Sequence, residues 1–168
     1  MRHLADLSGR SDHGATMAVV WLFDMVKKIL VVALGVLLIV GAAIQFVPVS
    51  RINPPVTQAL TWSSLETKAL WIRACAECHS NETVWPPYAY VAPVSWLVSN
   101  NVTEGRRELN LSQPLRGQPA RVANEISEKI TSGEMPPRDY ILLHPEAVLS
   151  TAEKRALIDG LRATLGGR

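Results

Sequence analysis

Cys75-Ala76-Glu77-Cys78-His79 is the stretch from which the rest of the chain is read. Two thiols three positions apart, followed at once by an imidazole, is the spacing at which a haem is attached through two thioether bonds while the adjacent histidine takes an axial position on the iron. On one turn of helix, residues three apart share a face, so both sulfurs can reach one side of a porphyrin and His79 projects beneath it. The neutral imidazole is a good iron donor. Three other chemistries compete. A thioredoxin-like redox pair requires a strand ahead of the motif and a βαβ context, which Leu65–Ala74 does not offer. Zinc requires a fourth ligand, and downstream of the motif only His144 is a further Cys or His. A disulfide within the motif would leave His79 without a purpose.

The chain has 168 residues, a formal net charge of +2 and two cysteines, both inside the motif, so no disulfide framework exists elsewhere. That charge, with no basic run interleaved with aromatics, gives no footprint for nucleic acid, and none is expected as a partner. Once an apolar N-terminal segment is set aside, the length leaves room for one small domain. A large planar hydrophobe supplies core that so short a domain lacks.

Residues 1–16 are polar and without periodicity and read as a disordered tail, in which His3 and His13 take no ligand role. Residues 29–47, ILVVALGVLLIVGAAIQFV, carry no charge and span roughly 28 Å as a helix, about the thickness of a bilayer's hydrocarbon. Lys27 and Lys28 stand just before the run, which assigns residues 1–28 to the cytoplasm and the remainder to the outer side. The run exceeds the roughly 7–15 residues of a cleaved signal's apolar region, so an uncleaved signal anchor is expected. Cleavage after small residues such as Gly41 and Ala42 is the alternative. Covalent haem attachment in bacteria takes place outside the cytoplasmic membrane, so motif and anchor agree on a periplasmic domain held at that membrane. Residues 48–61 hold three prolines and no helical period, as expected of an extended tether, and residues 62–168 form the haem-binding domain.

Within that domain, Ser63 and Glu66 have capping-box spacing ahead of a helix that runs to the motif, with Trp62 and Trp71 as core. Trp85-Pro86-Pro87 cannot be helix interior and forms a stiff loop that either walls one haem edge or is a plain turn around a core Trp. A helix starts at Pro93, with Gly105 either weakening it or admitting another backbone. Arg106 or Arg107 can pair with a haem propionate, or both can be solvated. Gln118-Pro119 starts a further helix with Val122, Ile126 and Ile130 on one face and a Glu125–Lys129 pair on the other, closed by Gly133. The last helix opens on a Ser150–Glu153 capping box, with Ala156, Leu157, Leu161 and Leu165 as its apolar stripe. No period-two run competes, and the fold is expected to be all-α: a small cytochrome c-like helical domain after one N-terminal transmembrane helix.

The strings CAECHSNETVWPPYAYVAPVSWLV, NVTEGRRELNLS and GEMPPRDYILLHPEAVLSTAEK resemble the haem-binding domain family of single-haem, membrane-anchored c-type cytochromes, over nearly the whole segment from Leu65 onward. The resemblance implies an exported helical domain with one covalent haem c, a C-terminal helix crossing the first, and electron transfer as its role. Met135 is the only methionine beyond the membrane segment and sits before Pro136-Pro137, so a sulfur sixth ligand has one candidate, and the resemblance places that ligand there too. The alternatives are Met135 as a core filler and His144 as the ligand; His144 reads as a structural histidine bonded to backbone. The expected function is a membrane-anchored mono-haem electron carrier rather than an enzyme, with His79 and Met135 on the iron, Cys75 and Cys78 on the porphyrin, and Trp85 and Arg106 around it. Its partners are redox proteins or a membrane redox complex. A haem enzyme or gas sensor with an open sixth position, or a fixed subunit of a respiratory or photosynthetic complex, are the alternatives.

Overall fold

The computed structural model describes residues 9–167 and is helical throughout, with seven α-helices and no strand among the described residues. The all-α expectation is met. The chain divides into two compact units, Met1–Pro48 and Val49–Arg168.

The first unit is one helix, α1 (Gly9–Ala43), ending in a 3-10 turn over Ile44–Phe46. Residues Thr16–Phe46 have a mean hydropathy of 2.7 and are long and apolar enough to cross a membrane. Its apolar side chains are exposed all round, as a lipid-facing helix requires. Of the tail expected over residues 1–16, the first eight lie outside the described residues; the rest is helical from Gly9, contrary to expectation. Extending an existing helix adds one hydrogen bond per residue fixed, without the cost of nucleation, so polar flanking residues can join it. Lys28 pairs with Asp24 one turn back, at 2.8 Å.

The second unit opens with an extended strap rather than a free tether. Thr57 and Gln58 donate their backbone N–H groups to the Ser112 carbonyl at 2.9 and 3.1 Å, and Leu60 packs against the core. Asn81 donates to the Pro55 carbonyl and Asn53 to the Thr83 carbonyl. The prolines keep the segment out of a helix, and its polar groups find partners on the domain instead of in water.

Helices α2 (Leu65–Ala74), α5 (Pro119–Ser132) and α7 (Thr151–Gly166) build the core, centred on the fully buried Leu157, Leu161 and Leu165. α7 packs on both α2 and α5. Gly160 lets α2 and α7 come together, since a Cβ there would collide with the Thr67 side chain. The Ser150–Glu153 capping box forms as expected. At α2 the cap is Ser64, whose hydroxyl accepts from Thr67 N–H, one residue later than expected; Ser63 instead donates to the Gly160 carbonyl across the crossing. α5 begins at Pro119 and ends at Gly133, whose φ of 77° is a left-handed stop. The expected Glu125–Lys129 pair is absent: Glu125 bonds Arg121 and Lys129 bonds Glu134.

Candidate functional site

α2 stops at Cys75, whose φ of −133° breaks the helix while its N–H still reaches the Trp71 carbonyl. A single turn, α3 (Ala76–His79), follows, with Cys78 and His79 N–H groups both closing on the Cys75 carbonyl at 3.2 and 3.0 Å. The motif is therefore one compact turn, as the three-residue spacing requires. α4 (Val94–Glu108) lies against it so closely that a Cβ on Gly105 would sit 2.6 Å from the Cys78 carbonyl oxygen. Of the two readings of Gly105, close backbone approach is the one found.

That approach fixes His79. Its Nδ1 lies 3.0 Å from each of two carbonyl oxygens, those of Gly105 and Leu109. A carbonyl only accepts, so Nδ1 carries the proton and Nε2 keeps its lone pair. Burial holds the ring's pKa below the usual value, against the opposing pull of the two carbonyls. This is the tautomer and the orienting bond that a metal-ligating imidazole requires.

Cys75, Cys78, His79 and Met135 all line one cavity of about 450 Å³. Trp71 and Ala74 of α2, Leu109 and Leu115 of the connecting loop, Val122, Ile126 and Ile130 of α5, and Tyr140 complete an apolar wall. The face of α5 read from its periodicity is thus turned partly into the cavity, which is why Val122 and Ile126 are only half-buried. Met135 is also half-buried, and its N–H bonds the Lys129 carbonyl at 3.1 Å. Both cysteines are free thiols. Burial, assisted by their neighbours, pushes the Cys75 thiol up to about 12 and that of Cys78 up to about 11. Among the described residues no three His, Cys, Asp or Glu side chains gather to hold a metal ion.

The other expected site residues sit differently. Trp85 is not part of the cavity wall, and its buried indole N–H has no partner. Its loop is drawn to the strap by the Asn53 bond to Thr83, and Thr83 in turn donates to the Glu77 carbonyl at 2.6 Å. Arg106 borders the cavity, but four of its N–H groups are used: on the carbonyls of Ser80 and Ile52, on Asn53 Oδ1 and on Thr83 Oγ1, at 2.6–2.9 Å. It clamps the strap to the loop after the motif. Arg107 pairs with Glu104 and Glu108. Arg116 lines the cavity with no guanidinium partner among the described residues, and nothing in its local sequence marks it. His144 bonds side chains rather than backbone: Tyr88 Oη lies 2.5 Å from its Nε2, Glu146 accepts from its Nδ1 at 3.1 Å, and Tyr140 stacks on its face. Both ring nitrogens are occupied, and it lies outside the main cavity.

A helical domain folded around an apolar cavity, with two thiols, a tautomer-fixed imidazole and a thioether on its wall, has the donors and the dimensions for a haem. The haem-binding domain family model matches residues 39–163, well over half of the chain, and the chain belongs to that family. No curated protein and no solved structure matches it.

Proposed function

We propose that the protein is a membrane-anchored mono-haem c-type cytochrome that passes single electrons on the outer side of the bacterial cytoplasmic membrane. The observation that carries this reading is His79: its Nδ1–H is committed to two carbonyls, so Nε2 is the nitrogen left to bind iron, on a cavity whose wall also holds both thiols and the one thioether of the second unit. A bound haem supplies a one-electron couple. Cys75 and Cys78 fix its edge through thioether bonds. Met135, on a loop limited by Pro136 and Pro137, would supply the second protein ligand to the iron. Iron held by two side chains would have no position for a substrate, which favours a carrier over an enzyme. The apolar residues of the wall would pack against the ring, and Arg116, which has no guanidinium partner among the described residues, would be placed to meet a propionate. α1 keeps the carrier at the membrane, where its partners are redox proteins or a membrane redox complex.

The test uses the full chain expressed with a haem-attachment system. Haem that stays with the polypeptide on a denaturing gel, and is lost in the Cys75→Ala/Cys78→Ala double variant, supports covalent attachment. The ferric wild type should show the weak red-end charge-transfer band of sulfur ligation, and Met135→Ala should lack it. A wild type without the band, or a band that survives Met135→Ala, removes Met135 as ligand; carbon monoxide binding by the reduced wild type would then favour the open-site reading.

A further inference from the structure

His79 and Met135 lie on pieces of chain far apart in sequence, and α4 is bonded to both pieces. At its end, the Gly105 and Leu109 carbonyls hold the His79 Nδ1–H. One turn before Gly105, and so on the same side of the helix, Asn101 Nδ2 donates to Asp139 Oδ2 at 2.8 Å. Asp139 is the second residue of α6 (Arg138–Leu143), which begins directly after Met135-Pro136-Pro137. α4 is itself well seated: Val102 is buried in it, and Gly105 lies against the Cys78 backbone.

The near side of the Met135 loop is held differently. Met135 N–H bonds the Lys129 carbonyl at 3.1 Å, and Lys129 Nζ reaches both carboxylate oxygens of Glu134 at 2.6 and 2.7 Å. These ties are local and fix the loop to the end of α5. The Asn101–Asp139 bond spans 38 positions and fixes the far side of the loop to the helix that orients His79. Two prolines stand between Met135 and α6, and their fixed φ angles pass a displacement of α6 back to Met135 instead of absorbing it. Asn101 lines the cavity that holds Cys75, Cys78, His79 and Met135, and with Asp139 and Cys78 it also lines a second cavity, of about 60 Å³.

We infer that Asn101 and Asp139 are positioning residues for the iron: their hydrogen bond ties the Met135 loop to the helix that orients His79, so one rigid element sets the place of both ligands. This rests on the reading of Met135 as a ligand. Without the bond, Met135 stays attached to α5, but the α6 side of its loop is released, and the thioether leaves a bound haem more often.

The experiment is rapid mixing of the full-length ferric holoprotein with saturating imidazole at pH 7, followed through loss of the sulfur charge-transfer band. Imidazole can take the iron only after the thioether has left, so the limiting rate reports that release. Asn101→Asp sets a second carboxylate against Asp139 and should raise the rate about tenfold, the lower end for a hydrogen bond to a charged group. The Asn101→Asp/Asp139→Asn double variant exchanges donor and acceptor at unchanged net charge and should return the wild-type rate. Asn100→Asp adds the same charge at the exposed neighbouring position and should leave the rate unchanged. If Asn101→Asp reacts at the wild-type rate, if the double variant is as fast as Asn101→Asp, or if Asn100→Asp is equally fast, the inference is overturned and Met135 remains the ligand. A wild type without the sulfur band overturns the ligand reading and this inference with it.

Discussion

His79 owes its state to α4. The two carbonyls that fix its tautomer belong to the helix's end, and they reach the ring because Gly105 lets that helix touch Cys78. Gly105→Ala would press a methyl against the Cys78 backbone, which cannot swing aside as a long side chain could. The expected loss is about 1–3 kcal/mol in a denaturant titration, and an unchanged midpoint would show that the contact is softer than the geometry says. Arg116 carries a second prediction at this scale. A cation near a propionate favours the reduced haem, so Arg116→Gln should lower the reduction potential, by about 40 mV if the interaction is about 1 kcal/mol. Arg116→Lys should retain most of it, and equal potentials for the three proteins would sink the pairing. That Cys75, Cys78, His79 and Met135 share one cavity agrees with a reading drawn from the spacing of the first three and from the absence of any other methionine after the membrane segment. Trp85, close to the motif in sequence, stays outside the cavity wall, whereas Arg106 borders the cavity and spends its donors partly on residues more than fifty positions earlier. Arg116 was missed because it lies far from the motif in sequence.

Helix ends are local, and most could be read: Pro119 and Gly133 bound α5 and Ser150 caps α7. The cap of α2 could not be placed to the residue, because two adjacent serines offered themselves and the choice was made by α7, whose Gly160 carbonyl takes Ser63. The contact between these helices also holds Arg73 against Glu153 at 2.5 Å. Arg73 first, and the Ser150 N–H next, hold the Glu153 carboxyl down at about 2, from an ordinary value of 4.5. A carboxylate depressed by folding stabilises fully above its unfolded pKa and progressively less below it. This contribution is therefore present at neutral pH and fades as pH falls from about 4.5 to about 2. Glu153→Gln should melt lower than wild type at pH 7, and the gap should close toward pH 2. A gap that is constant from pH 7 to pH 2 would assign the loss to the cap alone.

The strap ties the start of the second unit to the rest of it. Its prolines announced an extended segment, yet nothing in the sequence announced that it is bound, because its partners are single carbonyls and side chains of the domain with no pattern to detect. A free tether and a docked strap differ sharply toward a protease, which cleaves only backbone that opens locally. Trypsin offers a direct comparison. Arg116 stands exposed in the loop before α5, whereas Arg51 lies on the strap with its guanidinium over Tyr90 and on the Ala89 carbonyl. With full-length protein in lipid nanodiscs, cleavage after Arg116 should precede cleavage after Arg51, as followed by mass spectrometry. Removing the clamp in Arg106→Ala should then expose Arg51. A hydrogen bond from a charged group contributes about 1.5–3 kcal/mol, so loss of even one should speed cleavage after Arg51 roughly 10- to 100-fold. The Arg116 site, which does not depend on the clamp, should be cut at its former rate. Wild-type chain cut at Arg51 as early as at Arg116 would restore the free tether in place of the docked strap.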